Sequence, residues 1–210
     1  MTRRLKEAFK ATFYALLVFF LRVVTKILFR LRVRGRERVQ QGGSYIAVAR
    51  HRSYWDIPLL AVAFGWKNRI HFIARRGLMR NPLFNFLIRL YATAIDRENF
   101  TKADFRRMLE SIRRERLIGV FPEGTTRRAV DAKAGAIHFA RLTGKELLPV
   151  NIGAVGPYPP RYPFRFPRIT ISIGHPFAAS ELEEGEATST SRAERYHFLG
   201  ERLMRRVDAA

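Results

Sequence analysis

The chain has 210 residues, enough for one domain with a sizeable core. Hydrophobic residues make up 47%, which excludes a disordered chain, and the lack of cysteine excludes disulfides, thiolate nucleophiles and Cys-ligated zinc. Lys and Arg number 39 against 18 acids, for a formal charge of +21 with arginine supplying 32 of the cations; this calls for a polyanion, an acidic lipid surface or a phosphorylated substrate, or else is the solvated surface of an arginine-rich chain, and motifs must decide.

Residues 1–10, MTRRLKEAFK, are basic, and residues 11–21, ATFYALLVFFL, are apolar. Arg22, Lys26 and Arg30 follow at four-residue steps. A spanning helix needs about 20 apolar residues, and here 11 precede the first charge. A signal peptide would need a small-residue cleavage site, which RVVTKILFRLR does not offer. The pattern fits an interfacial helix or helix pair, cations toward headgroups and Phe and Leu toward acyl chains. The alternative is a helix packed on the protein's own core.

The alternation of Leu31 and Val33 with arginine predicts a half-exposed strand, and YIAVA, 45–49, predicts an apolar one. A helix is predicted over Trp55–Phe64, with Pro58 in its first turn and Gly65 as its stop. IHFIA, 70–74, is a strand, Pro82 opens a helix through Leu90, and ATAI, 92–95, is a strand ending at Asp96-Arg97. Thr101 and Asp104 form a capping box before a helix buried through Phe105, Met108, Leu109 and Ile112. LIGVF, 117–121, is a strand feeding the loop PEGTTRR, and residues 131–143 are helical up to Gly144. LLPVNI, 147–152, and RITISIG, 168–174, are strands. Four prolines keep the intervening YPPRYPFRFPR out of a helix. Ser191 and Glu194 cap a last amphipathic helix carrying Tyr196, Leu199, Leu203 and Val207.

Strands alternating with helices at βαβ spacing predict an α/β domain over 31–210: a mostly parallel twisted sheet with helices on both faces. Before it, 1–30 would form an N-terminal membrane-interfacial helix pair. The five histidines show no metal-ligand spacing, so no metal site is expected, and nothing calls for a cofactor.

ARHRSYWDIPLL, 49–60, sets His51 and Asp56 five positions apart. In one continuous helix that spacing turns the side chains roughly 140° away from each other. Across a strand–turn–helix bend the carboxylate can reach the imidazole, fix its tautomer and leave the other nitrogen as a general base. Alone, the pair could equally be a surface histidine and a helix-capping aspartate. VFPEGTTRR, 120–128, adds a glutamate beside two arginines, with a glycine that permits close backbone approach and an arginine fork suited to phosphate.

Together these stretches resemble the glycerolipid acyltransferases that acylate lysophosphatidic acid, the 1-acylglycerol-3-phosphate O-acyltransferases. Four blocks occur in order: HRSYWD from His51 to Asp56; IDR at 95–97, preceded by FIARRGLMRNPLF; FPEGT at 121–125; and Leu148-Pro149-Val150. The resemblance implies an α/β sheet with a membrane-docking helical pair, and transfer of a fatty acyl group from an acyl thioester, acyl-CoA or acyl carrier protein, to a glycerol hydroxyl beside a phosphate. His51 and Asp56 would be catalytic. Arg97 and Arg127 would hold the acceptor phosphate, with Glu123, Gly124 and Thr125 contributing to substrate binding. The enzyme would sit at an anionic membrane surface, on the cytoplasmic face of the cell membrane. The sequence departs from the family pattern where Arg50 replaces an asparagine, Tyr91 a glycine, Arg75-Arg76-Gly77 the usual lysines and glutamate, and where Thr126 separates Thr125 from Arg127. Two rivals stay open: a sister acyltransferase with another acceptor, such as glycerol-3-phosphate, and a basic nucleic-acid-binding module, for which the charge is present but no motif is.

Overall fold

The computed structural model describes residues 3–96, 98–123, 135–163, 165–183 and 191–210. Its elements are α1 (Arg3–Phe29), β1 (Arg32–Arg34), β2 (Tyr45–Ala49), α2 (Asp56–Phe64), β3 (Ile70–Arg75), α3 (Pro82–Tyr91), β4 (Ala92–Ile95), α4 (Lys102–Arg114), β5 (Leu117–Val120), α5 (Gly135–Thr143), β6 (Glu146–Val155), β7 (Arg168–Ile173) and α6 (Arg192–Asp208). Both expected capping boxes form, Thr101 with Asp104 and Ser191 with Glu194.

The seven strands make one sheet in the order β1-β7-β6-β2-β5-β3-β4. Strands β2 to β6 run parallel; β7 pairs antiparallel with β6, and β1 lies parallel to β7 at the edge. The five parallel strands therefore send their carboxyl ends to one edge, where ligands of open α/β sheets bind. The alternation of β2 divides the core. Tyr45, Ala47 and Ala49 face a cluster with Leu59, Leu60 and Phe64 of α2 and with Tyr14, Val18 and Phe29 of α1. Ile46 and Val48 face Ile112 of α4, Ile137 of α5 and Leu203 of α6. Helices cover both faces, so the central strands read as apolar runs.

One continuous helix stands at the N-terminus where a pair was expected. Residues 3–29 contain neither Gly nor Pro, so nothing interrupts the backbone ladder. Its buried stripe is Tyr14, Val18, Thr25 and Phe29, at helical spacing. Thr25 satisfies its buried hydroxyl on the carbonyl of Leu21, at 2.7 Å. Ile70 N–H of β3 donates to the Tyr14 hydroxyl, and the Tyr91 hydroxyl of α3 donates to the carbonyl of Lys10. The opposite face leaves Leu16, Phe19, Phe20, Val23 and Ile27 exposed, and α3 exposes Leu83, Phe84 and Phe86 beside it. Phe13 of α1 meets Phe86 edge-on at 5.4 Å.

Candidate active site

Strand β2 ends at Ala49 and α2 begins at Asp56, so the stretch between is the bend that the His51–Asp56 spacing requires. Asp56 is fully buried and closes the bend with one oxygen. Its Oδ2 accepts the backbone N–H of Arg52 at 2.7 Å and of Ser53 at 2.8 Å, and lies 3.0 Å from His51 Nδ1. The carboxylate is thus both a turn-former at a helix start and the partner of the imidazole. With Nδ1 engaged, Nε2 is the nitrogen open to chemistry, and among the described residues it has no hydrogen-bond partner. The side chain of His51 is 15% exposed, enough for a substrate to reach it.

The ring is held from behind. It stacks on Phe121 at 4.3 Å, Phe121 lies parallel to Phe72 at 6.2 Å, and Phe72 covers Gly119 of β5. A Cβ on Gly119 would come within 2.7 Å of the Phe72 ring, so glycine is the residue that lets this stack settle. Ser53 is buried and its Oγ accepts the N–H of Trp55 at 3.2 Å, so the hydroxyl serves the bend and lacks a nucleophile's setting.

Glu123 lies at the carboxyl end of β5 and joins the site through partners the sequence did not name. Its Oε2 accepts the N–H of His51 at 3.2 Å, and its Oε1 takes Arg50 Nη1 at 2.6 Å. Arg50 also forks onto Asp208, Nε to Oδ1 and Nη2 to Oδ2, both at 2.7 Å. The Asp208 bonds, then Glu123, hold the guanidinium pKa above its usual value. The residue that departs from the family's asparagine therefore ties the end of α6 to the bend. Tyr158, another partner not foreseen, donates its hydroxyl to Asp56 Oδ1. Burial, and next the negative charge of Asp56, push that phenol's pKa far up, so it stays protonated.

At the same sheet edge, β3 and β4 end beside a cleft of about 550 Å³ lined by Arg75, Arg76, Arg80, Asp96 and Glu98. Arg75 pairs with Glu98 and Arg76 with Asp104; Arg80 has no partner among the described residues. Arg97, Gly124, Thr125 and Arg127, the other expected site residues, lie outside the described residues. His71 is no part of this site: it is buried, 2.9 Å from the Thr93 hydroxyl, with burial lowering its pKa to about 4. Among the described residues, no group of three His, Asp or Glu could hold a metal ion.

An Acyltransferase family model matches residues 30–153, which spans the bend, the arginine cleft, Glu123 and most of β6. A 1-acyl-sn-glycerol-3-phosphate acyltransferase of Streptococcus pneumoniae is 30% identical over 158 residues, 72% of this chain and 58% of that protein. One of the same description from Borreliella burgdorferi is 29% identical over 129 residues, 59% of this chain and 51% of that protein. This chain thus spans little more than half the length of these curated relatives. The crystal structure of the 1-acyl-sn-glycerophosphate (LPA) acyltransferase PlsC from Thermotoga maritima superposes with a TM-score of 0.71, covering 100% of this chain and 83% of that one at 24% identity, which is an agreement of fold. Because the family model takes in more than half of the sequence, including both His51 and Asp56, the chain belongs to the Acyltransferase family.

Proposed function

We propose that the protein is a membrane-associated 1-acylglycerol-3-phosphate O-acyltransferase, which moves a fatty acyl group from an acyl thioester to the free hydroxyl of lysophosphatidic acid and so makes phosphatidic acid for phospholipid biosynthesis. The observation that carries it is the buried Asp56 carboxylate 3.0 Å from His51 Nδ1, with Nε2 unpartnered among the described residues at the carboxyl edge of the sheet. The descriptions of the two curated relatives support the choice of acceptor.

His51 Nε2 takes the proton of the acceptor hydroxyl as its oxygen attacks the thioester carbon. Asp56 fixes the tautomer and offsets the imidazolium charge that develops. Collapse of the tetrahedral intermediate expels the thiolate of the donor, coenzyme A or acyl carrier protein, which takes the proton back from His51. The transfer is direct, so no enzyme nucleophile is needed. The acceptor phosphate is assigned to Arg97 and Arg127, with the cations of the cleft (Arg75, Arg76 and Arg80) in support, because guanidinium forks match phosphate geometry. Gly124 and Thr125 are assigned to the acceptor's polar contacts, and Glu123 orders Arg50 and the His51 backbone.

Residues 1–30 dock the domain 31–210 on an anionic membrane. By length and composition α1 could cross a bilayer. Its buried stripe instead keeps it flat on the domain, which leaves Phe19, Phe20 and Ile27, with Leu83 and Phe84 of α3, for the acyl-chain region. The face assigned is the cytoplasmic one of the cell membrane, which the family resemblance implies.

Purified protein incubated with acyl-CoA or acyl carrier protein and a panel of acceptors tests this reading. Thin-layer analysis should show phosphatidic acid from lysophosphatidic acid. Product from glycerol-3-phosphate or another lysolipid alone would assign a sister acyltransferase. No product with any acceptor, together with DNA binding that survives physiological salt, would favour the nucleic-acid reading.

A further inference from the structure

We propose that Tyr158 is a positioning residue for His51, acting through Asp56: its hydroxyl holds the carboxylate oxygen that the histidine does not use, and so sets the basicity of the imidazole. This rests on the general-base reading above.

The two oxygens of Asp56 are unequally served. Oδ2 has His51 Nδ1, Arg52 N–H and Ser53 N–H. Oδ1, on a fully buried side chain, has the Tyr158 hydroxyl as its one donor among the described residues. The tyrosine comes from 102 positions away, in the proline-rich stretch between β6 and β7 that neither sheet nor helix claims. It is gripped there. The Arg52 guanidinium lies over its ring at 5.3 Å, and Arg52 also donates to the carbonyl of Ile152 in β6. Four residues on, the Tyr162 hydroxyl accepts from Trp55 Nε1 at 2.7 Å. Tyr162 meets Phe166 edge-on at 5.7 Å, and Phe166 meets Phe29 of α1 at 5.6 Å. The stretch thus straps the His51–Asp56 bend from both sides, and the polar end of the strap is the Tyr158 hydroxyl.

The chemical consequence is definite. A donor on Oδ1 draws negative charge from the carboxylate, so the carboxylate pulls less on the His51 proton. Remove the donor and the carboxylate stabilises imidazolium more strongly, raising the pKa of His51. Among the described residues the other charged groups beside the pair are Arg50 and Glu123, bound to each other next to the His51 backbone, and Arg52 over the Tyr158 ring, and a ring-preserving substitution at Tyr158 removes none of these contacts. The phenol itself is kept protonated by burial and by Asp56.

The test is Tyr158→Phe in the full chain, which keeps the ring under Arg52 and deletes the hydroxyl. The His51 Cε1–H signal, assigned by its loss in His51→Gln, is titrated by NMR in both proteins. The expected result is a His51 midpoint raised by about half a unit to one unit. In the same variant the acid limb of the rate profile should move up with the midpoint, so that on that limb kcat falls about 3- to 10-fold while the KM of donor and acceptor stays within about twofold. A purely structural tyrosine would move none of these pH readings. Site-specific 3-fluorotyrosine at position 158, a stronger donor of nearly the same size, should move the midpoint the other way, and it decides the matter if the phenylalanine variant fails to fold. An unchanged midpoint overturns the proposal. The titration needs no turnover, so a protein that acylates none of the acceptors would end the functional reading while this measurement still decides the role of Tyr158.

Discussion

Asp56 works because of where the chain places it. At the start of α2 its carboxylate takes two backbone N–H groups of the bend, and the same oxygen holds His51. The five-residue spacing that no helix can use raised this half of the site in the sequence, but alone it fitted a surface histidine and a capping aspartate equally well, and only the accompanying FPEGT block turned it into a candidate pair. The other half was not legible. Arg50 stood out as a departure, but its partner Asp208 is 158 positions away and Tyr158 is 102 from Asp56; no local spacing encodes either pairing. His71 belongs to this scale too. Burial lowers its pKa from 6.5 to about 4, so between those values the unfolded chain binds the proton that the folded one refuses. Stability is therefore full above about pH 6.5 and falls as pH drops toward 4, by about 3 kcal/mol at most. Urea titrations at pH 7 and pH 4.5 should show the loss, and His71→Gln should reduce the pH-dependent part of it. An equal pH-dependent loss in that variant would place the acid sensitivity elsewhere.

At the scale of elements, β5 and the residue after it hold the His51 ring. Gly119 admits Phe72, Phe72 lies against Phe121, and Phe121 carries His51. Gly119→Ala should push the Phe72 ring aside, lower stability by about 1–3 kcal/mol and reduce kcat, as read by thermal unfolding and steady-state kinetics. A variant with wild-type Tm and kcat would show that the stack is slack. Helix α1 has two faces, one packed on the core and one exposed. Hydropathy and charge showed an amphipathic segment in the sequence, but periodicity could not tell an interfacial helix from a core one. The structure places Tyr14, Val18 and Phe29 in the core and leaves Phe19 (70% exposed) and Ile27 (72%) outside. Deleting residues 1–30 would strip the core as well as the surface, so the docking face is better tested by substitution. Phe19→Ser with Phe20→Ser and Ile27→Ser should leave Tm within about 2 °C yet abolish most flotation with anionic vesicles, because each buried apolar side chain contributes about 1.5–3 kcal/mol. Undiminished flotation would move the docking surface to another part of the molecule.

At the scale of the whole molecule, sheet order explains why distant blocks come to one edge. The bend follows β2, Glu123 follows β5, and the arginine cleft follows β3 and β4; these strands are neighbours and parallel, so their ends share one edge. Strand and helix periods, with the prolines and caps between them, made the α/β class and most boundaries readable from sequence. The reversal of β7 was not readable, since its apolar alternation is the same in either direction, and neither was the unbroken course of α1. His51 is proposed as the general base of a direct acyl transfer at this edge. The measurement that tests it most directly is the initial rate of phosphatidic acid formation from lysophosphatidic acid and acyl-CoA by His51→Ala, at saturating substrates and with vesicle binding and Tm checked in parallel. The account predicts a rate about 10²–10⁴-fold below wild type with folding and vesicle binding unchanged; a folded variant that retained more than about half of the wild-type rate would contradict it.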